Sequence, residues 1–177
     1  VLYFFATNMG EILIVLFALV LNASGVDFPL PITAAQILWL NLVTDGFLDI
    51  ALSMEPQEND LLDKKWLKHK ERLVDTSLLL KMLFIATPMA IAGLFVFFMY
   101  YQHDLALART MTLITLAMFQ WFNAWNCRSM RKSIFELGMF TNKWLILATG
   151  LVLALQVFIV YTPFMQYIFK TVPLTLT

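Results

Sequence analysis

Five oxygen-bearing side chains fall inside two stretches of sequence that are otherwise apolar. Asn8 and Glu11 are three residues apart in the first stretch, and Thr44 and Asp45 follow Asn41 by three and four residues in the second. Residues three or four apart share one face of a helix. Carboxylate, carboxamide and hydroxyl oxygens are hard ligands, which suit calcium, magnesium, manganese or alkali cations better than zinc or copper. The two faces therefore predict a cation site between two helices.

The number of ligands sets a further requirement on this site. Calcium takes about six to eight oxygens, more than these side chains are sure to supply. Backbone carbonyls of an unwound helix, or water, would have to complete the coordination. Gly46 follows Asp45 directly, and we expect the helix to unwind there because glycine tolerates unusual backbone angles.

The alternative for Glu11 and Asp45 is a purely structural role, as protonated acids that hydrogen-bond between helices. An acid at the middle of a membrane span costs about 2.5 to 3.5 kcal/mol, a cost that favours a functional role over a structural one. Asp49 lies one turn beyond Asp45, nearer the end of the span. It is either a carboxylate that receives ions at the mouth of the site or a side chain that simply reaches water.

A third polar stripe occurs later in the chain, where Gln120, Asn123 and Asn126 repeat at intervals of three. Amides in membrane helices often do no more than hydrogen-bond across a helix interface. Gln120 is nevertheless a possible additional ligand, because its stripe would occupy one face of a helix.

Composition indicates the surroundings of these residues. The chain has 177 residues, of which 60% are hydrophobic and 14% are charged, and its mean hydropathy is +0.76. A soluble core of this size cannot bury so much apolar surface, so the lipid bilayer must be a partner. Twelve basic residues balance twelve acidic ones, which gives no reason to expect nucleic acid as a partner. The single cysteine and two isolated histidines exclude an internal disulfide and argue against a soft-metal site.

Helices that cross about 30 Å of hydrocarbon need about 20 mainly apolar residues. Five stretches qualify, which predicts an all-α, polytopic bundle of five transmembrane helices over residues 2–21, 32–53, 78–101, 105–125 and 144–161. The loops 54–77 and 126–143 are predicted to be cytoplasmic by the positive-inside rule. Ten of the twelve basic residues lie in these loops or beside them: Lys64, Lys65, Lys68, Lys70, Arg72, Lys81, Arg128, Arg131, Lys132 and Lys143.

Three segments carry a resemblance to a known family. The run from Leu30 to Gly46, LPITAAQILWLNLVTDG, resembles the sixth membrane helix of P-type cation-transporting ATPases of the calcium-pump branch. The run NMGE from Asn8 to Glu11 resembles the fifth helix, and FQWFNAWN at 119–126 follows in family order. The resemblance covers essentially the whole chain. It implies a fragment of a ten-helix membrane domain, with helices five to nine, the fifth cut at its cytoplasmic part and the tenth absent.

The resemblance also implies roles for particular residues. Gln120 stands where related calcium pumps have an acidic ligand of a second ion site, so its neutral side chain implies a single ion site. Asp49 stands where many relatives have a small residue. The positions that match the family's ion ligands are Asn8, Glu11, Asn41, Thr44 and Asp45.

The implied function is an ATP-driven pump that exports Ca²⁺, or Mn²⁺, from the cytoplasm. The chain contains no Asp-Lys-Thr-Gly-Thr phosphorylation motif, so ATP and Mg²⁺ would bind the parent protein, and this part alone would be inactive. Its partners would be the remaining helices and cytoplasmic domains of the same pump. The expected location is a bacterial plasma membrane, or a secretory-pathway membrane if the source is eukaryotic. A secondary ion-coupled transporter and a non-catalytic membrane scaffold remain the alternatives.

Overall fold

The computed structural model describes residues 2–56, 76–129, 134–138 and 140–174. Most of the predicted loop 54–77 and part of the loop 126–143 lie outside these residues. Of the ten basic residues on which the predicted orientation rests, Lys81, Arg128 and Lys143 are described. The other seven are not.

The described residues form helices joined by short turns. They are α1 (Leu2–Ala23), α2 (Ala34–Trp39), a π-helical segment (Leu40–Asp45), α3 (Gly46–Ser53), α4 (Thr76–Tyr100), α5 (Leu105–Asn126), α6 (Ile134–Leu137), α7 (Lys143–Tyr161) and α8 (Pro163–Phe169). The segments from Ala34 to Ser53 run on as one helix, called the second span below. Five helices are long and apolar enough to cross a membrane, which confirms the predicted five-helix bundle. Their ends differ from the predicted ones by at most two residues.

Close packing of α1 against α4 fixes the position of the first polar face. A Cβ atom on Gly10 would lie 2.9 Å from the sulfur of Met89, and one on Gly93 would lie 2.9 Å from the Cδ1 atom of Ile14. Small residues allow membrane helices to approach closely in this way. Glu11, next to Gly10, is buried. The close approach of α1 and α4 therefore fixes the direction in which the Glu11 face of α1 points.

The second span is widened where its polar residues occur. Leu40–Asp45 is π-helical, and this segment contains Asn41, Thr44 and Asp45. Gly46 keeps ordinary helical angles, with φ −58° and ψ −50°, so the expectation of an unwound helix at this position is wrong. A π-helical turn accommodates more residues than an α-helical turn while the chain remains hydrogen-bonded. The helix is thus distorted just before Gly46, where it widens into a π-helix and does not unwind.

The start of the second span is tied down by a capping box. The Thr33 hydroxyl accepts a hydrogen bond from the Gln36 backbone N–H at 3.3 Å, and the Gln36 side-chain oxygen accepts one from the Thr33 N–H at 3.0 Å. Such reciprocal bonds satisfy helix donors that would otherwise be free. Gln36 also donates to the carbonyl of Phe169 at 3.1 Å, which holds the end of α8 against this start.

The other end of the second span is held by the Glu55 cluster, made of Glu55, Arg128 and Asn142. The Arg128 guanidinium donates to both carboxylate oxygens of Glu55, with a shortest N–O distance of 2.7 Å, and Asn142 donates to the same carboxylate at 2.7 Å. Asn142 also donates to the carbonyl of Ala51 at 3.0 Å. Arg128 follows α5 and Asn142 caps α7. The cluster therefore joins three spans at one end of the bundle.

Candidate functional site

Glu11 lies where three helices meet. Its side chain is 3% exposed. One carboxylate oxygen accepts a hydrogen bond from the Gln120 amide of α5 at 2.9 Å, and the other accepts one from the Asn41 amide of the π-helical segment at 3.3 Å. The predicted contact between the faces of Glu11 and Asn41 is thus present. The structure adds Gln120 to the same group.

Asp45 is fully buried and is bound by two residues of α1 that were not predicted. The Tyr3 hydroxyl donates to one carboxylate oxygen at 2.7 Å, and the Thr7 hydroxyl donates to the other at 2.9 Å. Tyr3 and Thr7 precede Glu11 by eight and four residues, and such spacings place all three on one helix face. That spacing is the signal by which the sequence could have revealed them.

The hydrogen-bonding partners of both acids are neutral. Within the described part of the chain, no basic side chain forms a salt bridge with Glu11 or Asp45. A buried carboxylate that lacks a positive charge is costly, even when it accepts hydrogen bonds. Neither acid of the site therefore has a positively charged partner among the described residues.

Three buried oxygen atoms without a hydrogen-bond partner belong to residues that hydrogen-bond Glu11 or adjoin Asp45 in the chain. They are Oδ1 of Asn41, Oγ1 of Thr44 and Oε1 of Gln120. An unsatisfied buried polar atom costs about 1 to 3 kcal/mol. All three atoms can be ligands of a hard cation. An ion bound among them would neutralise the acids and occupy these oxygens at the same time.

A cavity of about 280 Å³ opens beside Glu11 and is called the Glu11 cavity. Asn8 and Asn41 line it together with Glu11 and apolar residues of both helices. The Asn8 amide nitrogen donates to the carbonyl of Phe4 at 2.8 Å, which leaves its amide oxygen as the atom available to an ion. Asn8, Glu11 and Asn41 are thus brought to one space, as the spacing predicts.

Asp49 lies in a different space, the Asp49 vestibule. This cavity of about 250 Å³ is lined by Asp49, Tyr3, Ser53 and Arg128 with three further residues. Tyr3 lines the vestibule and also hydrogen-bonds Asp45, so it connects this cavity to the buried acid. The structure therefore does not bring Asp49 into the Glu11 cavity but places it at the end of the span beside the Glu55 cluster.

The acids divide into two hydrogen-bonded groups. Glu11, Asn41 and Gln120 form one, and Asp45 with Tyr3 and Thr7 forms the other. Among the described residues, no three His, Cys, Asp or Glu side chains gather as a metal cluster. A metal ion here would therefore take most of its ligands from amides, hydroxyls, backbone carbonyls or water.

Comparison with known proteins gives a consistent set of matches. Residues 29–177 match the family described as cation transporting ATPase, C-terminus. The chain is 36% identical over 176 residues to the calcium-transporting ATPase of Bacillus subtilis (strain 168), which covers 98% of this chain and 19% of that protein.

Eukaryotic proteins match as well. Identity is 34% over 157 residues to calcium-transporting ATPase 1 of Saccharomyces cerevisiae, covering 87% of this chain and 16% of that protein. It is 32% over 156 residues to the human calcium-transporting ATPase type 2C member 1, covering 87% of this chain and 17% of that protein. The chain spans less than a fifth of the length of these relatives.

Proposed function

The chain belongs to the cation-transporting ATPase family, and from this premise we propose that it is the ion-binding part of an ATP-driven pump that exports Ca²⁺ from the cytoplasm. One observation carries the proposal. Glu11 and Asp45 are buried, their hydrogen-bond partners among the described residues are neutral, and Asn41, Thr44 and Gln120 carry unpaired buried oxygens. A divalent cation with oxygen ligands satisfies all of these groups together.

The ligands we propose come from both groups of the site. Glu11, Asn8 and Asn41 would bind from the Glu11 cavity, and Thr44 and Asp45 would bind from the π-helical segment. Each carboxylate oxygen of Asp45 accepts one hydrogen bond, from Tyr3 or from Thr7, and keeps a second lone pair with which it would bind the ion.

We propose a single ion site. The stoichiometry rests on Gln120, whose amide nitrogen already donates to Glu11 at 2.9 Å. Its side chain is neutral, so it contributes no charge toward a second divalent ion. Manganese accepts the same oxygen ligands as calcium and is the second ion that we propose this site transports.

ATP and Mg²⁺ belong to the parent protein in this proposal. The energy of ATP hydrolysis would reach these helices from domains outside the chain, which are also its proposed partners. The chain is an integral membrane protein. The proposed membrane is the plasma membrane of a bacterium, or a secretory-pathway membrane if the source is a eukaryote.

The decisive experiment is uptake of radiolabelled calcium into sealed inside-out vesicles that contain the intact parent protein. We expect uptake that requires ATP and is abolished by Glu11→Gln and by Asp45→Asn, because each removes a charge from the site. Asp104→Asn is the matched control, since Asp104 is exposed, caps α5 outside the site, and asparagine is an equally good cap.

Each outcome has a clear meaning. Uptake that survives both substitutions would refute the site. Uptake that needs an ion gradient and not ATP would instead identify a secondary transporter. Repeating the assay with radiolabelled manganese tests the second ion, and Gln120→Glu tests whether an added carboxylate raises the number of ions transported for each ATP.

A further inference from the structure

A groove separate from the Glu11 cavity runs along the interface between α4 and α5. One cavity of about 480 Å³ is lined by residues of these two helices. A second, of about 620 Å³, adjoins it and shares the walls formed by Phe84, Ile85, Asn123 and Asn126. We call the two together the α4–α5 groove. Both volumes lie in the range of cavities that hold small molecules in proteins.

The walls of the α4–α5 groove are mainly apolar. Pro88, Met118, Phe119 and Phe122 line one part of it. Phe84 and Phe122 are 81% and 67% exposed. In a membrane, acyl chains would meet the groove at these exposed side chains.

Apart from Thr115, the polar residues of the groove lie toward one end. Lys81 lines it near the start of α4 and is exposed, and Ser77 and Asn126 lie beside it. This end adjoins the loops predicted to be cytoplasmic. Lys81 is the only charged side chain among the described residues that line the two cavities. The described residues that line the groove therefore offer one positive charge, near its polar end, and no negative charge to oppose an anion.

Asn123 adds an unsatisfied donor inside the groove. Its side chain is 7% exposed, its amide oxygen accepts from the Cys127 thiol at 3.5 Å, and its amide nitrogen has no partner. The neighbouring wall carries Pro88, which has no N–H with which to satisfy the carbonyl of Phe84. The amide nitrogen is shielded from the groove in this state, so a small side-chain adjustment of Asn123 would bring it to an acceptor oxygen of a bound molecule and relieve the cost of its burial.

We propose that the α4–α5 groove binds one anionic phospholipid. Its phosphate pairs with Lys81, an ester oxygen accepts the hydrogen bond of Asn123, and an acyl chain lies against Phe84, Met118 and Phe122. Basic pockets between membrane helices on the cytoplasmic side bind such headgroups in other proteins. This assignment is independent of the proposed pump activity, because it involves none of the proposed ion ligands.

The test uses the intact protein, purified in detergent and stripped of lipid. Binding of phosphatidylglycerol and of phosphatidylcholine with identical acyl chains is then measured by native mass spectrometry. We expect tighter binding of phosphatidylglycerol, and Lys81→Gln should lower its affinity about fivefold. The affinity for phosphatidylcholine should fall less, because its choline cation already offsets the phosphate charge. Met118→Trp fills the apolar part of the groove and should weaken binding of both lipids.

The matched control is Lys143→Gln, which removes an exposed charge at the start of α7, outside the groove. It should leave both affinities unchanged. An equal loss with Lys143→Gln would show general attraction to the membrane surface and overturn the proposal. Unchanged binding in both Lys81→Gln and Met118→Trp would also overturn it, and would indicate that another protein segment covers the groove. Because Lys81 is exposed, its variant should fold normally.

Discussion

Glu11 and Glu55 are both acids held between helices, yet they are satisfied in opposite ways. Glu55 faces the guanidinium of Arg128 with a shortest distance of 2.7 Å and also accepts from Asn142. Glu11 accepts from the neutral amides of Asn41 and Gln120. The first carboxylate has its countercharge within the protein. The second lacks one among the described residues.

This difference distinguishes an acid that stabilises the fold from acids that are available to bind an ion. Removing one partner of a buried ion pair leaves an uncompensated charge and destabilises the fold. An acid with neutral partners has no pair to break, so replacing it with an amide removes a cost and a ligand together. The comparison therefore predicts that substitutions in the Glu55 cluster reduce stability, whereas substitutions at Glu11 and Asp45 reduce ion binding.

The largest effect should come from Arg128→Met, which breaks the Glu55 cluster. We expect the free energy of unfolding to fall by about 3 to 5 kcal/mol, because the Glu55 carboxylate loses its countercharge. Denaturant unfolding in mixed micelles measures this. The double variant Arg128→Met with Glu55→Gln should be more stable than Arg128→Met alone, since it also removes the unpaired charge. Equal stabilities of the two would contradict a charge-based role for the cluster.

The next effect is that of Glu11→Gln on ion binding. We expect calcium affinity to fall more than about 100-fold, equivalent to about 2.7 kcal/mol, because a charged ligand is lost. The free energy of unfolding should stay the same or rise, since glutamine keeps an oxygen that can accept from Gln120. Equilibrium binding of calcium to the intact protein and denaturant unfolding together check both parts. If Glu11→Gln lost stability and retained calcium affinity, Glu11 would have the structural role that we assign to Glu55.

A smaller effect is expected for Tyr3→Phe, which removes one donor to Asp45. Residues that orient ion ligands typically contribute about 10-fold to 100-fold in affinity, and we expect the lower end because Thr7 remains. Tyr161→Phe is the control, as its hydroxyl donates at 3.3 Å to the carbonyl of Leu174 outside the site. Calcium affinities that match in the two variants would show that the Tyr3 hydroxyl does not position Asp45.

The smallest change in affinity should come from Asp49→Asn. Asp49 lines the vestibule and not the Glu11 cavity, so we expect less than about a threefold change in affinity. The rate of calcium binding should fall and become less sensitive to salt, as expected when a charge that attracts an ion is removed. Stopped-flow measurements at several salt concentrations check this, with Asp27→Asn in the exposed loop after α1 as control. A large loss of affinity would make Asp49 a direct ligand.

Much of this arrangement could be predicted from the sequence. Hydropathy indicates the five spans because length and apolar character decide what crosses a membrane. Helical spacing places Asn8 beside Glu11, and both line one cavity. Tyr3 could have been found by the same spacing, but its hydrogen bond to Asp45 depends on how two helices are rotated relative to each other. Spacing within one helix does not determine that rotation.

Two other features could not be predicted from sequence patterns. Glu55 and Arg128 are 73 residues apart in the chain, and their pairing depends on the packing of whole spans. The π-helical segment is the other feature. It contains Asn41 and Asp45, which hydrogen-bond to residues of α1, whereas Gly46, the residue with the greatest backbone freedom, stays regular. Glycine alone was a poor guide to where the helix is distorted.

The π-helical segment gives the second span a surplus residue between two anchored ends. The capping box of Thr33 holds one end, and the Glu55 cluster holds the other. Each residue of a helix turns the chain by about 100°, so moving the surplus by one position rotates only the side chains that it passes. Such a shift would reorient the side chains of Leu40–Asp45 while both anchors stay in place. Side chains of the span could then turn about the helix axis without any movement of the helix along the membrane normal.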